Sequence, residues 1–191
     1  MRLASFLIAA VFAMTAAVSA EDYNGYETPP YTVIESLDGA EVRQYGAHVL
    51  AQVQVQGGRT MAANRGFRTL ANYIFGGNAQ GAKIAMTTPV AQSRTGETWV
   101  VSFMMPAKYT LDNLPTAQTD TITFTQKPGD RQIVRRFSGV VSGRLDGQES
   151  QLRAIADAAG KSVTGSVKYY FYDDPLTLPW NRRNEVAFSL R

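Results

Sequence analysis

The chain carries one plan twice. Val42-Arg43-Gln44-Tyr45-Gly46 is echoed by Val134-Arg135-Arg136-Phe137-Ser138, and Thr87-Thr88-Pro89-Val90 by Asp173-Asp174-Pro175-Leu176. In each copy a β-rich stretch runs into a helix-like segment, then a strand ending at a proline, then a last strand, Trp99 to Met105 or Glu185 to Leu190. Two units of this length cannot each close a core, and a solenoid needs more of them. The pattern therefore predicts one pseudo-symmetric domain.

Periodicity fills in each half as β-β-α-β-β. Tyr31 to Leu37 and Ala40 to Val55 read as a hairpin turned at Asp38-Gly39. In the second of these strands Val49, Ala51, Val53 and Val55 share one face and His48, Leu50, Gln52 and Gln54 the other. Thr60 to Phe75 follows as a helix, with Ala63, Phe67, Leu70, Ala71 and Ile74 in its stripe and Gly76-Gly77-Asn78 ending it. Lys83 to Gln92 and Thr98 to Met105 are predicted strands, and Pro106 to Pro115 a connector. In the second half, Thr119 to Gln126 and Arg131 to Arg144 form the matching hairpin around Pro128-Gly129-Asp130. Asp146 as N-cap opens a helix that stops at Gly160, and Val163 to Tyr172 and Asn184 to Leu190 complete the set. The expected fold is α+β: an antiparallel sheet of about eight strands with two helices on one side, open to curling into a barrel.

The first twenty residues stand apart. Arg2 precedes an apolar stretch, Leu3 to Val18, and Val18-Ser19-Ala20 offers small residues where a signal peptidase reads. Residues 1–20 are expected to be a cleaved signal, 21–30 a flexible leader closed by Pro29-Pro30, and 31–191 a single domain exported to the periplasm or secreted. The apolar stretch is short of the roughly 20 residues a membrane span needs, so no stable membrane insertion is expected after cleavage. The absence of cysteine excludes disulfides, thiolate metal sites, iron–sulfur clusters, covalent c-type haem and a cysteine nucleophile. A formal charge of +3 gives no support for nucleic-acid binding, and no matching motif adds any. With one histidine and no Gly-x-Ser-x-Gly, His-Glu-x-x-His or phosphate loop, hydrolytic machinery has almost no material, so no enzyme is expected.

Four segments in order carry a resemblance. Glu41-Val42-Arg43-Gln44-Tyr45, Lys83-Ile84-Ala85-Met86-Thr87-Thr88-Pro89-Val90, Phe103-Met104-Met105-Pro106 and Asn181-Arg182-Arg183-Asn184-Glu185-Val186 resemble the SOUL haem-binding family over nearly all of the chain after the signal. The resemblance implies a distorted β-barrel flanked by two helices, and non-covalent binding of haem b or another porphyrin as carrier, buffer or scavenger. It also implies an alternative. A related fold serves as the effector-binding module of drug-responsive regulators, where a barrel cavity takes amphipathic cations. In vertebrate members a histidine before the tyrosine of Glu-Val-Arg-x-Tyr has been proposed as axial ligand; Gln44 holds that slot here. Other members use an apolar surface by the first helix, with basic residues for the propionates.

Candidate ligand-binding residues follow from both readings. On the first helix, Phe67, Leu70, Ala71 and Ile74 offer an apolar stripe, while Asn64, Arg65, Arg68 and Asn72 flank it with donors for propionates. An ordinary amphipathic helix facing a sheet has the same pattern. Glu185, alternating with Ala187 and Ser189 on one face of the last strand, suits a cationic ligand or a salt bridge to Arg182, Arg183 or a neighbouring strand. His48 is the sole conventional nitrogen ligand for iron, or else a rim histidine on a strand. Met86, Met104 and Met105 could ligate iron or line a soft pocket, though methionine on strands more often packs, and adjacent Met104 and Met105 cannot face one cavity. Asp173-Asp174 before Pro175 reads as a turn rather than an acid–base pair.

Overall fold

The computed structural model describes residues 22–141 and 145–191. The expected signal lies outside the described residues. The stretch expected as a flexible leader instead forms a small hairpin, β1 (Asp22–Tyr23) and β2 (Tyr26–Glu27). Its Tyr23 hydroxyl donates to Asp173 at 3.1 Å, and the Ala107 amide donates to Glu27 at 2.8 Å.

The remaining strands make one antiparallel sheet of nine. In chain order they are β3 (Tyr31–Leu37), β4 (Ala40–Tyr45), β5 (His48–Gln56), β6 (Val90–Thr95), β7 (Thr98–Met104), β8 (Ile122–Lys127), β9 (Arg131–Phe137), β10 (Val163–Phe171) and β11 (Asn184–Leu190). Across the sheet the order is β3-β4-β9-β11-β10-β6-β7-β5-β8. No ladder joins the edge strands β3 and β8 among the described residues, so pairing does not close the expected barrel. The sheet is nonetheless bent back on itself. β4 pairs with β9 and β5 with β8 in one register, Gln44 facing Arg131 and His48 facing Lys127, with equal numbers of residues between. In the gap, the Tyr45 amide donates to the Asp130 carbonyl at 2.9 Å.

That continuity corrects two expectations. Ala40 to Val55 is not one strand but two, interrupted at Gly46 and Ala47, where the Gly46 amide donates to the Pro30 carbonyl at 2.8 Å. Likewise β8 and β9 do not pair as a hairpin; each pairs with half of the β4–β5 run. The turn between them needs glycine, since a Cβ on Gly129 would sit 2.6 Å from the Tyr45 carbonyl oxygen. Lys83 to Pro89 is also not strand. Thr87 donates to the Met104 carbonyl at 2.6 Å and Thr88 to the Tyr172 carbonyl at 2.9 Å, so side chains hold a segment that ladders would otherwise hold.

Two helices lie over one face. Helix α1 (Arg59–Ile74) packs on β5 and β7; α2 (Leu145–Ala158) packs on β9, β10 and β11. Asp146 lies inside the first turn of α2 rather than capping it. The core under α1 joins Val53, Leu70, Tyr73, Val101 and Phe103, and the core under α2 joins Ile133, Leu152, Val186 and Phe188, with Trp99 packed against both. Apart from β3, which has no counterpart, the halves do repeat as β-β-α-β-β, with α1 over β5–β7 corresponding to α2 over β9–β11. The sequence echoes are not the equivalent positions, however. Val42 and Ile133 are antiparallel partners on adjacent strands, and Pro89 precedes β6 whereas Pro175 follows β10.

Candidate functional site

Helix α1 turns a mixed surface outward. Ala62, Gly66, Leu70, Tyr73 and Ile74 are its buried positions, one step round from the stripe that the sequence predicts. Leu70 is fully buried in the core and cannot meet a ligand there, which removes it from the candidate set. Phe67 is different: it is 41% exposed while its ring makes a T-shaped contact with Phe103, centroids 5.4 Å apart. Asn64, Arg68 and Asn72 are exposed beside it, and Ala71 is half-buried. Asn64 spends one donor on the Thr60 carbonyl of its own helix. Met61 and Phe75, which the sequence analysis did not single out, add exposed apolar surface at the two ends of α1.

His48 does not reach this surface. The alternation on β5 is as expected: Val49, Ala51, Val53 and Val55 are buried in the α1 core, and His48, Leu50 and Gln52 line a cavity on the opposite face. His48 therefore cannot ligate iron in a haem held over α1. Its Nδ1 donates to the Gly46 carbonyl at 2.9 Å, which fixes Nε2 as the unprotonated nitrogen of the neutral ring. Burial pushes its pKa down against that bond and against Asp130, and Lys127 and Lys168 push the same way as burial. Among the described residues no cluster of three or more His, Cys, Asp or Glu side chains could hold a metal. Met104 lines the cavity and Met105 is buried in the α1 core, on opposite faces as adjacent strand residues must be.

Glu185 lies on the inner face with Ala187 and Ser189, but it is not open to a ligand. Its side chain is fully buried, and Arg43 grips both oxygens at 2.9 and 3.2 Å. Arg183 adds bonds at 2.9 and 2.8 Å, and the Tyr172 hydroxyl donates at 3.1 Å. Arg43 in turn reaches Glu41 at 2.8 Å and stacks over Tyr31, 4.4 Å from its centroid. Burial alone would lower the Arg43 pKa, yet Glu185 and Tyr45 outweigh it and hold the guanidinium firmly charged. The salt-bridge reading holds, and the cationic-ligand reading of Glu185 does not. Asp173 and Asp174 are turn residues, accepting from the Arg183 and Leu176 amides at 2.6 and 2.7 Å.

Sequence reasoning missed the cavity. It measures about 200 Å³, and its apolar walls include Leu50, Ala91, Met104 and Pro89. Its polar lining is gathered from seven strands, β4 to β10, and includes Gln52, Ser102, Lys127, Gln132, Lys168 and Tyr170. Several of these are tied to one another: Gln52 donates to Ser102 at 3.1 Å and Tyr170 to Gln132 at 2.8 Å. Asp130 sits behind the lining, 3.4 Å from Lys127, 3.3 Å from Lys168 and 3.0 Å from the Ser189 hydroxyl. Burial raises its pKa, but Lys168, the Gln132 amide, Lys127 and Ser189 together take it below the usual value. The polar alternation His48-Gln52 on β5 was the available signal, and it equally fits a solvated face.

Comparison with solved structures shows the fold elsewhere. A hydrolase from Listeria innocua superposes with a TM-score of 0.58 at 11% identity, covering 83% of this chain and 94% of that one. The EcmrR C-terminal domain gives 0.60 at 10% identity, covering 84% and 98%. An uncharacterised conserved protein from Listeria innocua gives 0.56 at 12%, covering 80% and 92%. At these identities the likeness is one of fold alone. No curated protein matches the sequence. The family comparison matches residues 26–189 to the SOUL heme-binding proteins, nearly the whole described chain and all four segments singled out above. This chain is a member of the SOUL heme-binding protein family.

Proposed function

We propose that this chain binds haem b or a related porphyrin non-covalently on the outer face of α1, as a carrier, buffer or scavenger in the cell envelope and without catalysis. The observation that carries the placement is Phe67, in T-shaped contact with Phe103 yet still 41% exposed beside Arg68. A tetrapyrrole needs an apolar face and cationic groups at one edge for its propionates, and Phe67, Ala71 and Arg68 supply both. Size supports the outer face over the interior. A cavity of about 200 Å³ is below the roughly 300–1,000 Å³ of sites for drug-sized ligands, and a tetrapyrrole is larger than most of those. Bound haem supplies redox and ligand-binding chemistry at its iron; the chain's own residues hold and orient it.

Titration of the protein with hemin, read by the Soret band, tests this. Arg68→Glu should weaken binding, and added salt should shrink the difference, because repulsion between charges is screened. Phe67→Asp should weaken it with far less salt dependence, because apolar contact is lost. Phe67 touches the core through Phe103, so circular dichroism must show both variants folded. Folded variants that bind hemin like the parent would reject the α1 site. Export rests on Leu3 to Ala20, and mass spectrometry of the protein from its native host should find Glu21 at the N-terminus.

A further inference from the structure

We propose that the cavity on the inner face of the sheet is a second binding site, for a small organic anion: a carboxylate borne on a flat or branched apolar body. The site is independent of the one on α1, because α1 packs on the face of β5 opposite the cavity.

Charge decides the sign of the ligand. The lining holds two lysines, Lys127 and Lys168, and no carboxylate. Two carboxylates that touch lining side chains are each held by two cations: Asp130 by Lys127 and Lys168, and Glu185 by Arg43 and Arg183. The Asp130 group leaves one excess positive charge at the cavity. The Glu185 group is neutral overall, because Arg43 also pairs with Glu41, and it meets the cavity through Tyr45 and Tyr172. Those two tyrosines line it while accepting from Arg43 and donating to Glu185 respectively. A cation entering there meets like charge, and no free carboxylate compensates. An anion gains from an ammonium in a site shielded from water, where charge-assisted hydrogen bonds are strong. Lys168 has already lost much of its hydration, since burial lowers its pKa despite Asp130, so little more is lost when a ligand arrives.

Size and shape set the class. A cavity of about 200 Å³ is slightly larger than the roughly 150 Å³ that holds benzene in an engineered core. Leu50, Ala91, Met104 and Pro89 offer the apolar wall, and the amides of Gln52 and Gln132 and the Ser102 hydroxyl offer orienting groups beside the lysines.

Three probes of one shape separate charge from fit: benzoate, benzamide and benzamidinium, titrated at neutral pH by calorimetry and by NMR of the single His48 ring. Benzoate should bind at least tenfold tighter than benzamide, benzamidinium should bind weakest, and benzoate should shift the His48 resonances. Lys168→Met should weaken benzoate by about tenfold and leave benzamide within a few-fold; if that variant does not fold, Lys127→Met serves, its side chain being the more exposed. Benzamidinium binding as tightly as benzoate, benzoate binding with no shift at His48, or no benzoate binding at all would each overturn the proposal. Hemin titration reads the α1 site separately, so failure of one does not count against the other.

Discussion

Glu185 shows how much one residue can be committed. Two guanidiniums and a phenol close on a carboxylate with no solvent exposure, so removing its charge leaves Arg43 and Arg183 partly stranded in the interior. Glu185→Gln should destabilise the fold by about 3–5 kcal/mol, the range for breaking one side of a buried ion pair, measured by denaturant unfolding. A change under about 1 kcal/mol would mean that the arginines find other partners. The sequence put Glu185 on one face with Ala187 and Ser189 and offered Arg182, Arg183 or a neighbouring strand as its partner. Arg43 was beyond its reach because it lies 142 positions away, and only the folded sheet brings the two together. Gln92 is the opposite case. Its Oε1 is buried without a hydrogen-bond partner, and its cross-strand neighbours Val101 and Tyr169 both belong to the helix-side cores. An unsatisfied buried acceptor costs about 1–3 kcal/mol, so Gln92→Met, close in shape, should raise stability by a comparable amount in the same assay. His48 adds a pH dependence. Its folded pKa is lowered, so the unfolded chain takes up its proton first as pH falls below about 6.5. The contribution is fully present above that pH and is lost as pH falls through the folded pKa; His48→Gln should flatten that leg of a stability-versus-pH curve.

Elements were legible where one face is wholly buried and obscure where side chains replace ladders. The β5 alternation and the β3–β4 turn came through because the buried set on β5 has period two and Gly39 takes a positive φ of 78°. Residues 83–89 misled because their β-branched and apolar composition suits a strand, while Thr87 and Thr88 use their hydroxyls as anchors. Helix α1 was placed correctly, but its buried face was read one step off. The reason is Gly66, which has no side chain to score as apolar yet marks the closest approach of helix to sheet. A Cβ there would lie 2.6 Å from a Val101 methyl group. Gly66→Ala therefore sets two effects against each other. Helix propensity favours alanine by roughly 0.5–1 kcal/mol, while overpacking costs about 1–3 kcal/mol, and branched Val101 has little freedom to move aside. A net loss of about 1 kcal/mol is expected, seen as a lower denaturation midpoint. A stabilised variant would show that α1 rides over β7 more loosely than the geometry implies.

At the scale of the whole molecule, the bent sheet makes two faces with different chemistry. Its outer face is closed by α1 and α2, and its inner face keeps a small cavity between tyrosines, glutamines and lysines. The cavity was illegible in sequence because its lining is gathered from strands that become neighbours only through the shared β4–β5 and β8–β9 register. Placement on opposite faces gives a consequence that neither site alone would test. Hemin over α1 contacts none of the cavity lining, and the sheet between them is a packed layer whose core residues are almost fully buried. Coupling between ligands is reciprocal, so saturation with benzoate should change hemin affinity by less than about twofold, and hemin should change benzoate affinity by the same factor. His48→Ala should also leave hemin affinity and the Soret position unchanged, since that ring faces the cavity. Mutual exclusion of hemin and benzoate, or a Soret shift in the His48 variant, would place the tetrapyrrole against the inner face and require the sheet to open well beyond about 200 Å³ to receive it.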